Sequence, residues 1–111
     1  MVKYGVDAAA HAIASAPRRA IIERLSLGST SMSELARALD LSLPAIDKHL
    51  GVLLDAGVVT KSKDGRVTLL TLNPGSLDEL AAWAMSTRLM WTGLLDRFAM
   101  SVEAEDKELD R

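Results

Sequence analysis

The chain has 111 residues, of which 49% are hydrophobic and 25% charged, and its formal net charge is −2. This composition is typical of one folded domain and excludes a largely disordered chain. The absence of cysteine excludes disulfides and sulfur-ligated zinc. The sequence shows neither a signal peptide nor an apolar run near the roughly 20 residues of a membrane span. These features favour a cytoplasmic protein without a membrane partner.

Two helices are predicted at the start of the chain. The first covers Asp7–Ser15. The second runs from Ala16 to Leu27, because Ser15 suits its N-cap and Pro17 lies in the first turn, where the missing N–H costs little. Gly28 ends this second helix.

A helix-turn-helix is predicted next. Ser31 and Glu34 form a capping box that opens a short third helix. Asp40 occupies the turn, because Asp tolerates left-handed backbone better than most residues do. Ser42 then caps a fourth helix, Leu43–Ala56. The apolar positions of this fourth helix recur with helical spacing and are Ile46, Leu50, Leu53 and Leu54.

After Gly57 the apolar residues no longer recur with helical spacing and instead occupy alternate positions, as in a strand. Val58–Lys63 and Arg66–Leu72 alternate polar and apolar residues and are rich in Val and Thr. The dipeptide Asp64-Gly65 between them is a strong signal for a two-residue hairpin turn. The sequence therefore predicts a two-stranded wing over Val58–Leu72.

One long helix is predicted to close the domain. Ser76 and Glu79 form a second capping box, and the helix runs to about Val102. We therefore expect a domain over residues 1–102 that carries dimerisation helices at both ends, followed by a charged, frayed tail over residues 103–111.

This order of elements predicts a mainly α fold with a small β-hairpin, a winged helix-turn-helix of five helices and a two-stranded wing. Such a module reads bases with the start of its recognition helix and holds phosphates with the helix flanks and the wing. The candidate DNA-contacting residues are Ser42, Leu43, Pro44, Asp47, Lys48 and His49 on the fourth helix, and Lys61, Lys63 and Arg66 on the wing.

The charge pattern permits a DNA partner. Up to Leu72, Lys and Arg outnumber Asp and Glu by nine to seven, whereas from Asn73 onward acids dominate by eight to four. Lys48 suits a guanine or a phosphate; Asp47 can accept from a cytosine amino group but would repel a phosphate. The negative net charge keeps a second interpretation open, that of a winged helix used for protein contacts without DNA binding.

The last helix predicts a homodimer. Trp83 and Trp91 are eight residues apart and share a helix face, and two large aromatics are hard to bury within so small a subunit. The predicted dimer interface, a two-fold seam between the subunits, comprises Trp83, Thr87, Trp91, Leu94 and Phe98 on this helix and Tyr4, Ala10 and Ile13 on the first helix. A pocket for a small-molecule effector, lined by Trp and Met, is the alternative use of this face.

Several segments resemble the ArsR/SmtB family of small dimeric bacterial repressors. They are Arg18–Leu25, Ser33–Ala36, Pro44–Leu50, Ala56–Val59, Gly65-Arg66 and Leu72–Pro74. The resemblance implies a winged-helix dimer that represses transcription by binding an operator. It also implies that the fourth helix and the wing face DNA through Leu43, Asp47, Lys48, His49 and Arg66.

The departures from the family pattern concern metals. Metal-sensing members carry a Cys-x-Cys in the third helix, where this chain has Leu35–Leu39, and other members use His ligands on the last helix, which has none here. We therefore expect neither a metal site nor a cofactor. The chain also lacks a Gly-rich phosphate loop and paired carboxylates with a plausible cleft, so we do not expect an enzyme.

Overall fold

The computed structural model describes the backbone of residues 2–109 and the side chains of residues 5–104. The helices are α1 (Val2–Ile13), α2 (Ala16–Leu25), α3 (Met32–Leu39), α4 (Leu43–Asp55) and α5 (Asp78–Leu109), and the strands are β1 (Thr30–Ser31), β2 (Val59–Asp64) and β3 (Val67–Leu72). The chain divides into two compact units, Met1–Leu80 and Ala81–Arg111. The order and type of the elements confirm the predicted winged helix-turn-helix.

Two arginines fix the corner between α1 and α2. Arg18 donates from Nε to the Ala12 carbonyl and from Nη2 to the His11 carbonyl, both at 2.8 Å. Arg19 donates from Nη1 to the Ile13 carbonyl at 2.8 Å. The last carbonyls of a helix have no partner within the helix, so the two guanidinium groups supply donors that α1 itself cannot. The His11 carbonyl also accepts from the Ala14 amide at 3.2 Å.

Half of the capping box predicted for α3 is present. The Ser31 hydroxyl accepts from the Glu34 amide at 3.2 Å. The Glu34 carboxylate pairs with Arg37 at 3.1 Å and forms no bond back to the cap. At the other end of α3, Asp40 adopts the predicted left-handed conformation, with φ of 53°.

The C-terminus of α4 is closed by a Schellman motif. Gly57 has φ of +74°, and its amide donates to the Leu54 carbonyl at 3.1 Å. The Val58 amide donates to the Leu53 carbonyl at 3.0 Å. This pair of bonds satisfies the last carbonyls of α4 and turns the chain into β2.

One hydrophobic core joins α1–α4 to the sheet. Its buried members are Ala12, Ile21, Leu25, Leu35, Ile46, Leu50, Leu53, Val58, Val59 and Leu70. The face of α4 predicted to be apolar therefore lies in this core, which sets the direction in which the opposite face points.

The sheet has three strands, in the order β1-β3-β2, where the sequence predicted two. The turn also differs from the prediction, because Asp64 pairs with Val67 and the two loop residues are Gly65 and Arg66. Gly65 has φ of +67° and Arg66 has no positive φ, the pattern of a type II′ turn, which takes glycine at its first position.

The capping box predicted for the last helix is wrong. Ser76 lies in a 3-10 turn, Pro74–Leu77, and its hydroxyl donates to the Asn73 carbonyl at 2.6 Å. The Glu79 side chain lies against Gly5 of α1. The helix begins at Asp78 and continues to Leu109, beyond Val102, where its end was predicted. The division into residues 1–102 and a tail over 103–111 stays a prediction.

Candidate nucleic-acid interface

The start of α4 is held by local hydrogen bonding. The Ser42 hydroxyl accepts from the Ala45 amide at 3.2 Å, and Pro44 occupies the first turn, where no N–H is required. Since the side chain of Ser42 is engaged in this cap, its predicted contact with DNA would add a second role. The cap fixes which residues α4 presents at its N-terminal end.

The two faces of α4 separate as the helical period predicts. Ile46, Leu50 and Leu53 are buried. The opposite side is exposed and carries Leu43, Pro44, Asp47 and Lys48. Leu43 is 48% exposed although it is a large apolar residue, which places a hydrophobic surface beside polar ones at the start of the helix. A surface that contacts both a thymine methyl group and polar base edges needs this combination.

His49 differs from the other predicted contacts because it is partly buried. Its Nδ1 atom is inaccessible to solvent and is, in the part of the chain whose side chains are described, the one buried side-chain polar atom without a hydrogen-bond partner. A contact between His49 and a phosphate would therefore have to use Nε2.

The wing presents its cations on an exposed strand and turn. Lys61 pairs in register with Leu70, and Lys63 with Thr68, on the way to the turn that contains Arg66. All three cationic side chains are exposed. The opposing Leu70 is 2% exposed and belongs to the core, so the root of the wing is anchored while its outer part is free to contact a partner.

A groove brings residues of α4 and of the wing together. It has a volume of about 560 Å³, and Asp47, Lys61 and Arg66 all line it. The sequence placed these three residues on separate elements and did not predict their common groove. It also missed the polar residues Ser31, Ser33 and Thr68, which line the same groove. Only the register of the hairpin and the packing of α4 on β2 bring these residues to one place.

The predicted dimer residues fall in both compact units. On α1, Ala10 is exposed and Ile13 is partly buried, whereas the side chain of Tyr4 lies outside the described residues. On α5, Trp83, Trp91 and Phe98 are 58%, 60% and 68% exposed. Leu94 is also exposed, and Thr87 is partly buried and donates to the Trp83 carbonyl at 3.0 Å.

The described residues carry neither a cluster of metal-ligating side chains nor a helix that could span a membrane. These residues contain no group of three or more His, Cys, Asp or Glu side chains placed to hold a metal ion. None of the described helices combines the length and the apolar character that crossing a bilayer requires.

The architecture defines the class of the protein. Two helices joined by a sharp turn are followed by a hairpin, and two of its cations, Lys61 and Arg66, share a groove with the second helix. This is the arrangement of a winged helix-turn-helix, a DNA-binding module.

Comparison with known proteins identifies the family. The family model "Bacterial regulatory protein, arsR family" matches residues 16–61. The HTH-type transcriptional regulator Rv2034 of Mycobacterium tuberculosis is 37% identical over 99 residues, which cover 89% of this chain and 90% of that protein. The transcriptional repressor SdpR of Bacillus subtilis is 28% identical over 75 residues, which cover 68% of this chain and 83% of that protein.

A solved structure agrees with this assignment. An ArsR-like transcriptional regulator from Rhodococcus sp. RHA1 superimposes with a TM-score of 0.71 at 26% identity, over 85% of this chain and 89% of that one. The chain belongs to the arsR family of bacterial regulatory proteins, as the sequence motifs indicated, and is a DNA-binding transcriptional regulator.

Proposed function

We propose that this regulator is a repressor that binds an inverted-repeat operator as a homodimer. In this proposal the first turns of α4 enter the major groove, and the wing follows the adjacent phosphates. The observation that supports the proposal is the common groove of Asp47 with Lys61 and Arg66, because this groove brings an exposed side chain of α4 together with two cations of the wing.

In this proposal, each exposed residue of α4 contacts a different chemical group of the DNA. Leu43 offers an apolar surface to a thymine methyl group, and Lys48 offers a cation to a guanine or a phosphate. Asp47 can accept from a cytosine amino group, which would favour a G·C pair at one position of each half-site. Lys61, Lys63 and Arg66 neutralise phosphates without reading sequence.

The homodimer is supported by the exposed apolar side chains of α5. Trp91 and Phe98 are each at least 60% exposed within the single chain, and a protein surface seldom leaves such a continuous set of large apolar residues in water. A two-fold seam would cover them and would position two α4 helices for two half-sites. The repressor assignment is supported by similarity to SdpR, which is named as a repressor.

Selection from a pool of random duplex DNA tests the proposal. We expect enrichment of an inverted repeat whose half-sites are roughly one helical turn apart. Binding to the selected duplex should weaken by roughly 10³-fold or more between about 50 and 200 mM salt, if each dimer neutralises about six phosphates or more. The family assignment does not by itself decide either result.

A failed selection would favour the other interpretation of this winged helix. The exposed carboxylate of Asp47 and the net charge of −2 suit a surface that contacts proteins. The proposal would be overturned if no sequence were enriched and no random duplex bound at low salt, conditions under which even nonspecific DNA binding is strong.

A further inference from the structure

The groove between α3, α4 and the wing has the size and chemistry of a small-molecule site. Its volume of about 560 Å³ lies within the range of about 300–1,000 Å³ that is usual for ligand pockets. Its accessible apolar lining comes from Met32 and Leu54, which are partly buried, and from Val67, which is 49% exposed, whereas Leu50 and Leu70 lie beneath it and are only 3% and 2% exposed. The groove therefore has an apolar floor.

The charged residues that line the groove are two cations, Lys61 and Arg66, and one carboxylate, Asp47, so the lining has an excess of one positive charge. Among the described side chains, the single ion pair within 4.0 Å is that between Arg37 and Glu34, so neither cation of the groove is paired with a carboxylate. An occupant with one negative charge could pair with these cations and form charge-assisted hydrogen bonds.

We propose that this groove binds a small amphipathic organic anion, a singly charged group attached to an apolar body. A DNA phosphate would satisfy the cations but would leave the apolar floor in contact with water, whereas an amphipathic anion matches both parts of the lining. The Asp47 carboxylate in the same lining offsets one of the two cations, so the net charge of the lining matches an occupant with one negative charge.

The position of the groove gives its occupant a regulatory effect. Asp47, Lys61 and Arg66 line the groove and are also proposed to face DNA, so this step rests on the proposed function. An anion that occupies the groove pairs with Lys61 and Arg66, which would otherwise bind DNA phosphates. The ligand and the operator then exclude each other, and a rise in ligand concentration releases the DNA.

Two fluorescent probes test the binding site. The first, 1-anilinonaphthalene-8-sulfonate, has one negative charge, and the second, N-phenyl-1-naphthylamine, has the same apolar body without that charge. Lys61→Met removes a charge from the groove and keeps an apolar stem. Lys63→Met is the matched control, because Lys63 lies on the same strand but does not line the groove.

The charged probe should respond to the groove variant alone. We expect Lys61→Met to raise the dissociation constant of the charged probe about tenfold, the loss of one charge-assisted contact, and Lys63→Met to change it by less than about twofold, as for a screened surface charge. Neither variant should change binding of the uncharged probe. Equal effects of the two variants on the charged probe would overturn the proposal.

Amide chemical shifts locate the bound probe. In the wild-type protein the charged probe should shift the amides of Met32, Leu50 and Val67, which line the groove. Shifts confined to α5, whose exposed aromatics are the other apolar surface, would show that the groove is not the site and would overturn the proposal.

Competition with labelled duplex DNA tests the exclusion. Charged probe at a concentration that just saturates the wild type should raise the dissociation constant of the duplex for the wild type and for Lys63→Met, and should raise it clearly less for Lys61→Met. An unchanged constant for the wild type, with the probe in the groove, would overturn the exclusion. If the protein bound no duplex at all, the proposed function would fail, and the probe titrations would still decide whether the groove is a ligand site.

Discussion

Arg18 satisfies two carbonyl groups at the end of α1, and this arrangement predicts its effect on stability. Arg18→Ala would remove the side-chain donor of the Ala12 carbonyl and would leave the His11 carbonyl with the Ala14 amide alone, and it should lower the free energy of unfolding by about 1–3 kcal/mol. Arg37→Ala is the control, since it removes only an exposed ion pair within α3 and should cost less than about 1 kcal/mol. Urea denaturation measures both, and equal losses would contradict the capping role of Arg18.

The predicted contacts of single cations with DNA are tested by removing one charge at a time. Lys48→Ala and Arg66→Ala should each weaken binding to the selected operator by about 1–3 kcal/mol, and loss of a phosphate contact should also reduce the salt dependence. Arg88→Ala removes an equal charge from α5, outside the predicted interface, and should leave affinity nearly unchanged. Fluorescence anisotropy with labelled duplex measures all three. If Arg88→Ala weakened binding as much as the other two, the effect would reflect net charge and not contact.

Residues whose role depends on near neighbours could be predicted from the sequence. Ser15, Ser31 and Ser42 each accept from the amide three residues later, as the N-cap pattern predicts. Arg18 and Arg19 bond to carbonyls six or seven residues earlier. Those bonds depend on the angle between two helices, which no local pattern specifies.

At the scale of an element, two glycines of the α4 segment should respond to alanine in opposite directions. A Cβ at Gly51 would meet nothing within 4 Å, so Gly51→Ala should stabilise the protein by about 0.5–1 kcal/mol through helix propensity. Gly57 has φ of +74°, which strains any L side chain, and Gly57→Ala should destabilise the protein by about 1 kcal/mol or more. Thermal and urea unfolding measure both, and a stabilising Gly57→Ala would contradict the Schellman motif.

Some features of the elements depend on contacts across the sheet and could not be predicted from local sequence patterns. β1 has only two residues, which is too short for an alternating polar and apolar pattern to be recognised. Its existence depends on pairing with Leu69 and Leu70 of β3. The one-residue difference at the hairpin turn has a similar cause, because the register that pairs Asp64 with Val67 is set across the sheet. The apolar face of α4 was predictable, since helical period alone determines it. The groove was not, because it requires the packing of α4 on the wing.

At the scale of the whole molecule, the proposed dimer links the last helix to DNA binding. A Trp side chain can bury about 200 Å², which at roughly 25 cal/mol per Å² makes Trp91 a large contributor to a two-fold seam. Trp91→Ala should therefore raise the dimer dissociation constant about tenfold or more and weaken operator binding in parallel. Sedimentation with and without operator measures both effects.

The control for this prediction lies on the same helix. Met85 is 52% exposed, but its position in the helical repeat places it away from the stripe that contains Trp83 and Trp91. Met85→Ala should leave the dimer dissociation constant within about threefold of the wild type, as expected outside the centre of an interface. A wild-type protein that sediments as a monomer at micromolar concentration yet binds operator tightly would contradict the dimer proposal.

The strand order β1-β3-β2 leaves β2 as an edge strand of six residues, of which all but Val59 are exposed. An exposed edge presents unpaired amides and carbonyls to which a strand of another molecule can add, and lysine side chains are a common protection against this aggregation. Lys61 and Lys63 therefore protect the free protein from sheet extension as well as facing the proposed DNA. Replacing both with apolar residues should make the unbound protein aggregate, so selection for solubility and selection for DNA binding would preserve the same two lysines.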